Sequence, residues 1–162
     1  MRLKYILYLT LVFLTACNIS EEDADNFYKL GMKSKKEPYL MLQYFDRASA
    51  HEKYRVYSVA IQMFDTGCYL WQRKDILDVN QIYLEECIIK SVEIFYEVAS
   101  NENSEAEPRF KSVQNLAYLF DHKYSNYHKI ASDLLTKNDP KLLEKITSVL
   151  NELGSQTLSE SD

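Results

Sequence analysis

PYLMLQYFDRA, residues 38–48, sets the reading of the fold. Pro38 opens the stretch, and Met41, Tyr44, Phe45 and Ala48 follow at i, i+3, i+4 and i+7. That spacing puts all four on one face of an α-helix. Proline suits the first helical position, because the N–H it lacks would be unpaired there anyway.

Working outward, the same period continues in both directions. Downstream, His51 to Thr66 reads as a helix with Tyr57, Ala60, Ile61 and Phe64 on its stripe, and Gly67 closes it. Cys68 to Leu77 has no clean period and reads as a loop or a short turn. Asp78 and Gln81 form a capping pair for a long helix ending near Ser100, with Ile82, Ile89, Val92, Phe95, Tyr96 and Ala99 facing inward. The polar run NENSEAE (101–107) is a connection. Pro108 opens a helix with Phe110, Val113, Leu116, Ala117 and Phe120 on one face. Ser125 caps another, bearing Ile130, Ala131 and Leu134. Asp139-Pro140 begins the last, with Leu142, Leu143, Ile146, Val149, Leu150 and Leu153, and Gly154 ends it. Upstream, Ser20 and Asp23 cap a helix over Glu21–Lys33. The expectation is one all-α domain over 21–154, of stacked helical hairpins or an irregular helical bundle, with about six to seven helices. Residues 155–162 (SQTLSESD) hold too little apolar surface to fold and read as a disordered tail.

The first residues are of a different kind. Arg2 and Lys4 precede YILYLTLVF (5–13), an apolar run too short to span a bilayer, which needs about 20 residues. Its length and flanks suit a secretory signal. It ends in Leu14-Thr15-Ala16-Cys17, which resembles the lipobox of bacterial lipoproteins. The resemblance implies removal of residues 1–16, acylation of the Cys17 thiol, and a short tether over 17–20. Each buried acyl methylene contributes about 0.8 kcal/mol, and stable anchoring takes more than one chain. Asn18, rather than Asp, follows the cysteine. By the same resemblance that points to the outer membrane, periplasmic face.

Without residues 1–16 the chain carries 17 basic and 24 acidic residues, a net charge of −7 against −5 for the whole. Phosphate contacts need clustered Lys and Arg, so nucleic acid is not the expected partner. With Cys17 lipidated, Cys68 and Cys87 remain. An oxidising periplasm allows a Cys68–Cys87 disulfide, and the alternative is two buried thiols acting as small apolar residues.

Two phrases echo each other. QYFDRAS (43–49) resembles IFYEVAS (94–100) at an offset of 51, and the Phe64-Asp65 and Phe120-Asp121 pairs in the helices that follow are offset by 56. The pattern resembles the tetratricopeptide superfamily, especially its Sel-like branch. Ala48, Ala60, Ala99 and Ala117 would then be close helix–helix contacts. The chain departs from that family in repeat length and in lacking the second-helix glycine. Stacked hairpins of this kind typically offer a concave protein-binding surface.

Chemistry is sparse. His51, His122 and His128 have no metal-ligand spacing, and surface or capping roles are expected of them. There is no glycine-rich phosphate loop and no nucleophile motif. No catalytic residue, metal or cofactor is therefore expected. The tyrosines say more, since eleven remain after residue 16. Tyrosine and tryptophan anchor interfaces by joining apolar area to a polar tip. Trp71, Tyr69, Tyr118 and Tyr124 are the interface candidates. The expected function is a membrane-anchored, non-enzymatic module holding a protein partner in the periplasm or envelope, of the pilotin or assembly-scaffold type. The alternative is an immunity protein that neutralises a toxin delivered to the periplasm.

Overall fold

The computed structural model describes residues 19–121 and 124–159. Cys17 with the rest of the lipobox, and His122, lie outside them. The described residues form seven α-helices and no strand: α1 (Glu21–Lys33), α2 (Pro38–Ala48), α3 (Tyr57–Trp71), α4 (Gln81–Ser100), α5 (Ala106–Tyr118), α6 (Asn126–Asn138) and α7 (Pro140–Ser159). A 3-10 turn, Glu52–Tyr54, joins α2 to α3. The all-helical expectation holds.

Local chemistry explains most of the helix starts. The Asp23 amide donates to Ser20 Oγ at 3.1 Å, and the Ser20 hydroxyl donates to Asp23 Oδ2 at 2.7 Å. Proline occupies the first position of α2 and of α7. Ser125 accepts from the Tyr127 amide at 3.1 Å, and Asp139 Oδ1 from the Leu142 amide at 3.0 Å. These side chains satisfy first-turn amides that otherwise lack a partner.

Several boundaries differ from the sequence reading. The helix expected from His51 starts at Tyr57, because His51 caps the short 3-10 turn instead, accepting from the Lys53 amide at 3.2 Å. Gly67 does not end α3. Its φ is negative, and the helix continues through Cys68 to Trp71, a stretch expected to be irregular. Asn80, not Asp78, caps α4, accepting from the Tyr83 amide at 3.2 Å. α5 begins at Ala106, two residues before Pro108. α7 passes Gly154 and ends at Ser159, inside the segment expected to form the tail.

Short connections fold α1 to α5 back and forth, each helix packed on the one before. One end of the stack, here the proximal end, collects the start of α1, the 3-10 turn and the α4–α5 connection. Lys53 ties that turn to Glu21 and Asp25 of α1, both at 2.8 Å, and the Tyr54 hydroxyl donates to Asp25 at 2.8 Å. The distal end collects the α1–α2, α3–α4 and α5–α6 connections. α6 packs on both α3 and α4, with its start at Cys68 and its last residue, Asn138, bonded to Glu85 at 3.0 Å.

The core has two parts. Leu42, Phe45, Val59, Met63, Leu84 and Cys87 form the one nearer α1 and α2. Phe64, Ile88, Phe95, Leu116, Leu135 and Ile146 belong to the larger one, completed by α5, α6 and α7. α3 and α4 contribute to both. Gly67 lets them approach: a Cβ there would stand 2.9 Å from Ile88 Cγ1. Gly31 does the same for α1 against the Phe45 ring, where a Cβ would lie 3.0 Å from Cε1.

The helical period read from Pro108 to Phe120 finds apolar residues but misplaces the inner face, and α5 stops at Tyr118, before Leu119 and Phe120. Ser112, Leu116 and Leu119 are buried, while Phe110, Ala117 and Phe120 are exposed. Ile82, expected inside, is also exposed. Ala48, Ala60 and Ala99 are fully buried, whereas Ala117 is exposed. The helix after the second phrase therefore lacks the buried alanine of the helix after the first, while Ala99 of the second phrase itself is as buried as Ala48.

Candidate functional site

Two surfaces stand out, one at each end of the stack. At the proximal end, the 3-10 turn, the first turn of α3, the last turn of α4 and the α4–α5 connection enclose a groove of about 690 Å³. Its walls are partly apolar, with Val56, Tyr57, Val98 and Pro108 among the lining residues. Arg55 lies in it, drawn to α4 by a two-pronged ion pair. Its Nε donates to Glu97 Oε2 at 2.7 Å and its Nη2 to Oε1 at 2.5 Å, with Glu93 3.3 Å away. The hydrogen bonds that Glu97 accepts hold the guanidinium charged more firmly than usual. Glu52 and Glu105 complete the lining with two further carboxylates.

The distal end carries exposed apolar and aromatic side chains. Ile76 in the α3–α4 connection is 85% exposed and Ile82 at the start of α4 is 70% exposed. Leu77, Tyr69, Phe120 and Tyr124 are exposed at the same end. The side chains proposed from sequence fall here. Tyr118 and Tyr124 stack on each other with ring centroids 3.4 Å apart. Tyr69 carries the Arg73 guanidinium over its ring at 3.9 Å. Trp71 is only half-buried, but it packs against both core clusters, with Lys74 Nζ 4.5 Å from the centre of its ring. It is therefore as much a core wedge as a surface group.

His128 departs from the surface role expected of it. It is buried under the Tyr118–Tyr124 stack, edge-on to both rings at 5.4 and 5.7 Å, and touches Phe64 at 5.0 Å. Asn115 holds its Nε2 at 3.2 Å. Burial disfavours the imidazolium and lowers the pKa to about 4.

Cys68 and Cys87 are free, buried thiols in different core clusters. The structure thus takes the alternative to the Cys68–Cys87 disulfide. The Cys68 thiol donates to the Tyr127 carbonyl at 3.7 Å. Burial pushes the Cys68 thiol up, and the Cys87 thiol up to about 12. Neutral thiols of this kind are poor nucleophiles and poor metal ligands. Among the described residues, no group of three or more His, Cys, Asp or Glu is placed to hold a metal ion. Nor is any helix among them long and apolar enough to cross a membrane.

The groove was not visible in the sequence. Glu52, Arg55, Glu97 and Glu105 come from three separate segments with no mutual spacing to recognise. Compared with protein-family models, curated proteins and solved structures, the chain matches none of them.

Proposed function

We propose that this chain is a lipid-anchored envelope protein whose helical domain holds a protein partner, as a scaffold or escort rather than an enzyme. The observation that carries the reading is the distal end, where the connections and helix ends leave Ile76, Ile82, Tyr69, Phe120 and Tyr124 exposed. Contiguous exposed apolar surface costs solubility, and where it persists it usually marks an interaction site. Aromatic side chains there suit an interface core. The L-T-A-C sequence at 14–17 supports the anchor.

The test is capture of partners from gently crosslinked envelopes with the native chain, read by mass spectrometry beside an Ile76→Asp, Ile82→Asp variant. A dominant protein lost from the variant supports the reading. Equal recovery with both chains refutes the distal surface as the contact. Cys17→Ser addresses the anchor separately, and should abolish lipid labelling and release the protein from membranes.

A second reading, an immunity protein, is favoured by the charge of −7 beyond residue 16, which would speed encounter with a basic toxin. A captured exported hydrolase or pore-former would favour it. Recovery of secretin, pilus or other assembly subunits would favour the scaffold.

A further inference from the structure

The proximal groove is separate from the distal surface, and its charges restrict what it can hold. Arg55 is the only cation in its lining, and Glu97 occupies the guanidinium from the side while Glu93 approaches from the next turn of α4. It is not available to an incoming anion without breaking those contacts. Glu52 and Glu105 are both exposed, and no cation among the described residues lies within ion-pair reach of either. The rim is therefore net negative around a partly apolar floor, where Val98 is buried and Tyr57 and Pro108 are half-buried. Ser58, Asn101 and Ser104 add polar side chains to the same lining. Acidic groups at the rim, apolar surface below and polar side chains beside it match an extended chain with cationic side chains. They match neither a phosphate nor a purely apolar helix. At about 690 Å³ the groove suits a short segment rather than a folded partner.

We propose that the groove between the 3-10 turn, α3, α4 and the α4–α5 connection is a docking site for an extended basic–apolar segment of another protein. Lysine or arginine side chains of that segment meet Glu52 and Glu105, and an apolar side chain between them rests on Tyr57 and Val98. The site rests on the interaction-module reading but stands on different residues, so either can fail without the other.

The experiment uses the full chain in detergent micelles and fluorescent peptides of alternating lysine and leucine, alternating glutamate and leucine, and alternating lysine and serine. Anisotropy should show saturable binding of the lysine–leucine peptide, weaker binding of the lysine–serine peptide, and none of the glutamate peptide. Glu52→Gln with Glu105→Gln should weaken the lysine–leucine peptide about tenfold, about 1.4 kcal/mol, with an unchanged circular dichroism spectrum. Asp133→Asn with Glu144→Gln removes the same charge from exposed positions on α6 and α7 and should leave binding within about twofold. Rising salt should weaken binding, as screening requires. The proposal is overturned if the two double variants lose affinity equally, if the glutamate peptide binds as well, or if no saturable binding appears below about 1 mM. If binding fails while distal variants still lose their captured partner, the groove is refuted and the interaction module stands. The converse pattern refutes only the distal contact.

Discussion

Gly67 of α3 lies against Ile88 of α4 so closely that a β-carbon on the glycine would stand 2.9 Å from Ile88 Cγ1. Two effects compete when that glycine becomes alanine. Helix propensity favours alanine by up to about 1 kcal/mol. Overpacking a filled core costs about 1–3 kcal/mol. Cγ1 sits at the root of a fully buried side chain, not at a mobile tip, so the clash wins. Gly67→Ala should lower stability by about 1–2 kcal/mol in urea unfolding. The same change in an Ile88→Ala background should cost nothing or stabilise, because the opposing atom is gone. A stabilised single variant would contradict the contact.

His128 makes stability depend on pH in a defined window. Unfolded, a histidine takes up its proton near pH 6.5, whereas in the fold this one does so only near 4. Between those values the unfolded chain binds more protons than the folded one. Stability is therefore complete above about pH 6.5 and is lost as pH falls toward 4, at up to about 1.4 kcal/mol per unit. His128→Phe has no proton to take up. Its urea midpoint should fall less steeply than that of the parent between pH 6.5 and 4, and parallel curves would exclude the effect.

The two core thiols should be silent in the native protein. With Cys68 and Cys87 buried and their thiolates disfavoured, an aromatic disulfide reagent should modify neither at neutral pH. Unfolding in guanidinium without reductant should expose both. If neither reacts even when unfolded, the two are joined in a disulfide.

Asp46 links α2 to α4 through side chains only about a quarter exposed. Its carboxylate accepts from Lys90 Nζ at 2.8 Å and from the Tyr83 hydroxyl at 3.2 Å, and Lys90 also donates to the Asp46 carbonyl at 3.1 Å. Asp46→Ala strands two donors in a half-covered site and should cost about 1–3 kcal/mol. Glu107→Ala removes the partner of Lys111 from an open surface pair and should leave the thermal midpoint unchanged. Similar effects from the two would mean that Asp46 is solvated in practice.

How much of this was legible depends on the distance over which each signal acts. Pro38, Pro140, Ser20, Ser125 and Asp139 work within one turn, and all five sit where the sequence puts them. Gly67 read as a helix end because glycine favours caps. Its actual reason lies 21 positions away, in the bulk of Ile88. α5 fails in a related way. Its apolar arc is wider than the strip its neighbours cover, so Phe110 shares the period of Leu116 without its burial, and Phe120 falls past the end of the helix. Nothing in the helix itself says which edge of that arc will be covered. The groove is the extreme case, because its carboxylates meet only after three connections have folded.

Trp71 reaches both apolar clusters from the end of α3, and it is the only tryptophan in the chain. One indole thus serves as a shared wall between the α1–α2 side and the α5–α7 side. Loosening either cluster moves the same ring, which passes the disturbance to the other. The two halves should therefore unfold as one cooperative unit, with the emission of a single native fluorophore reading the integrity of both.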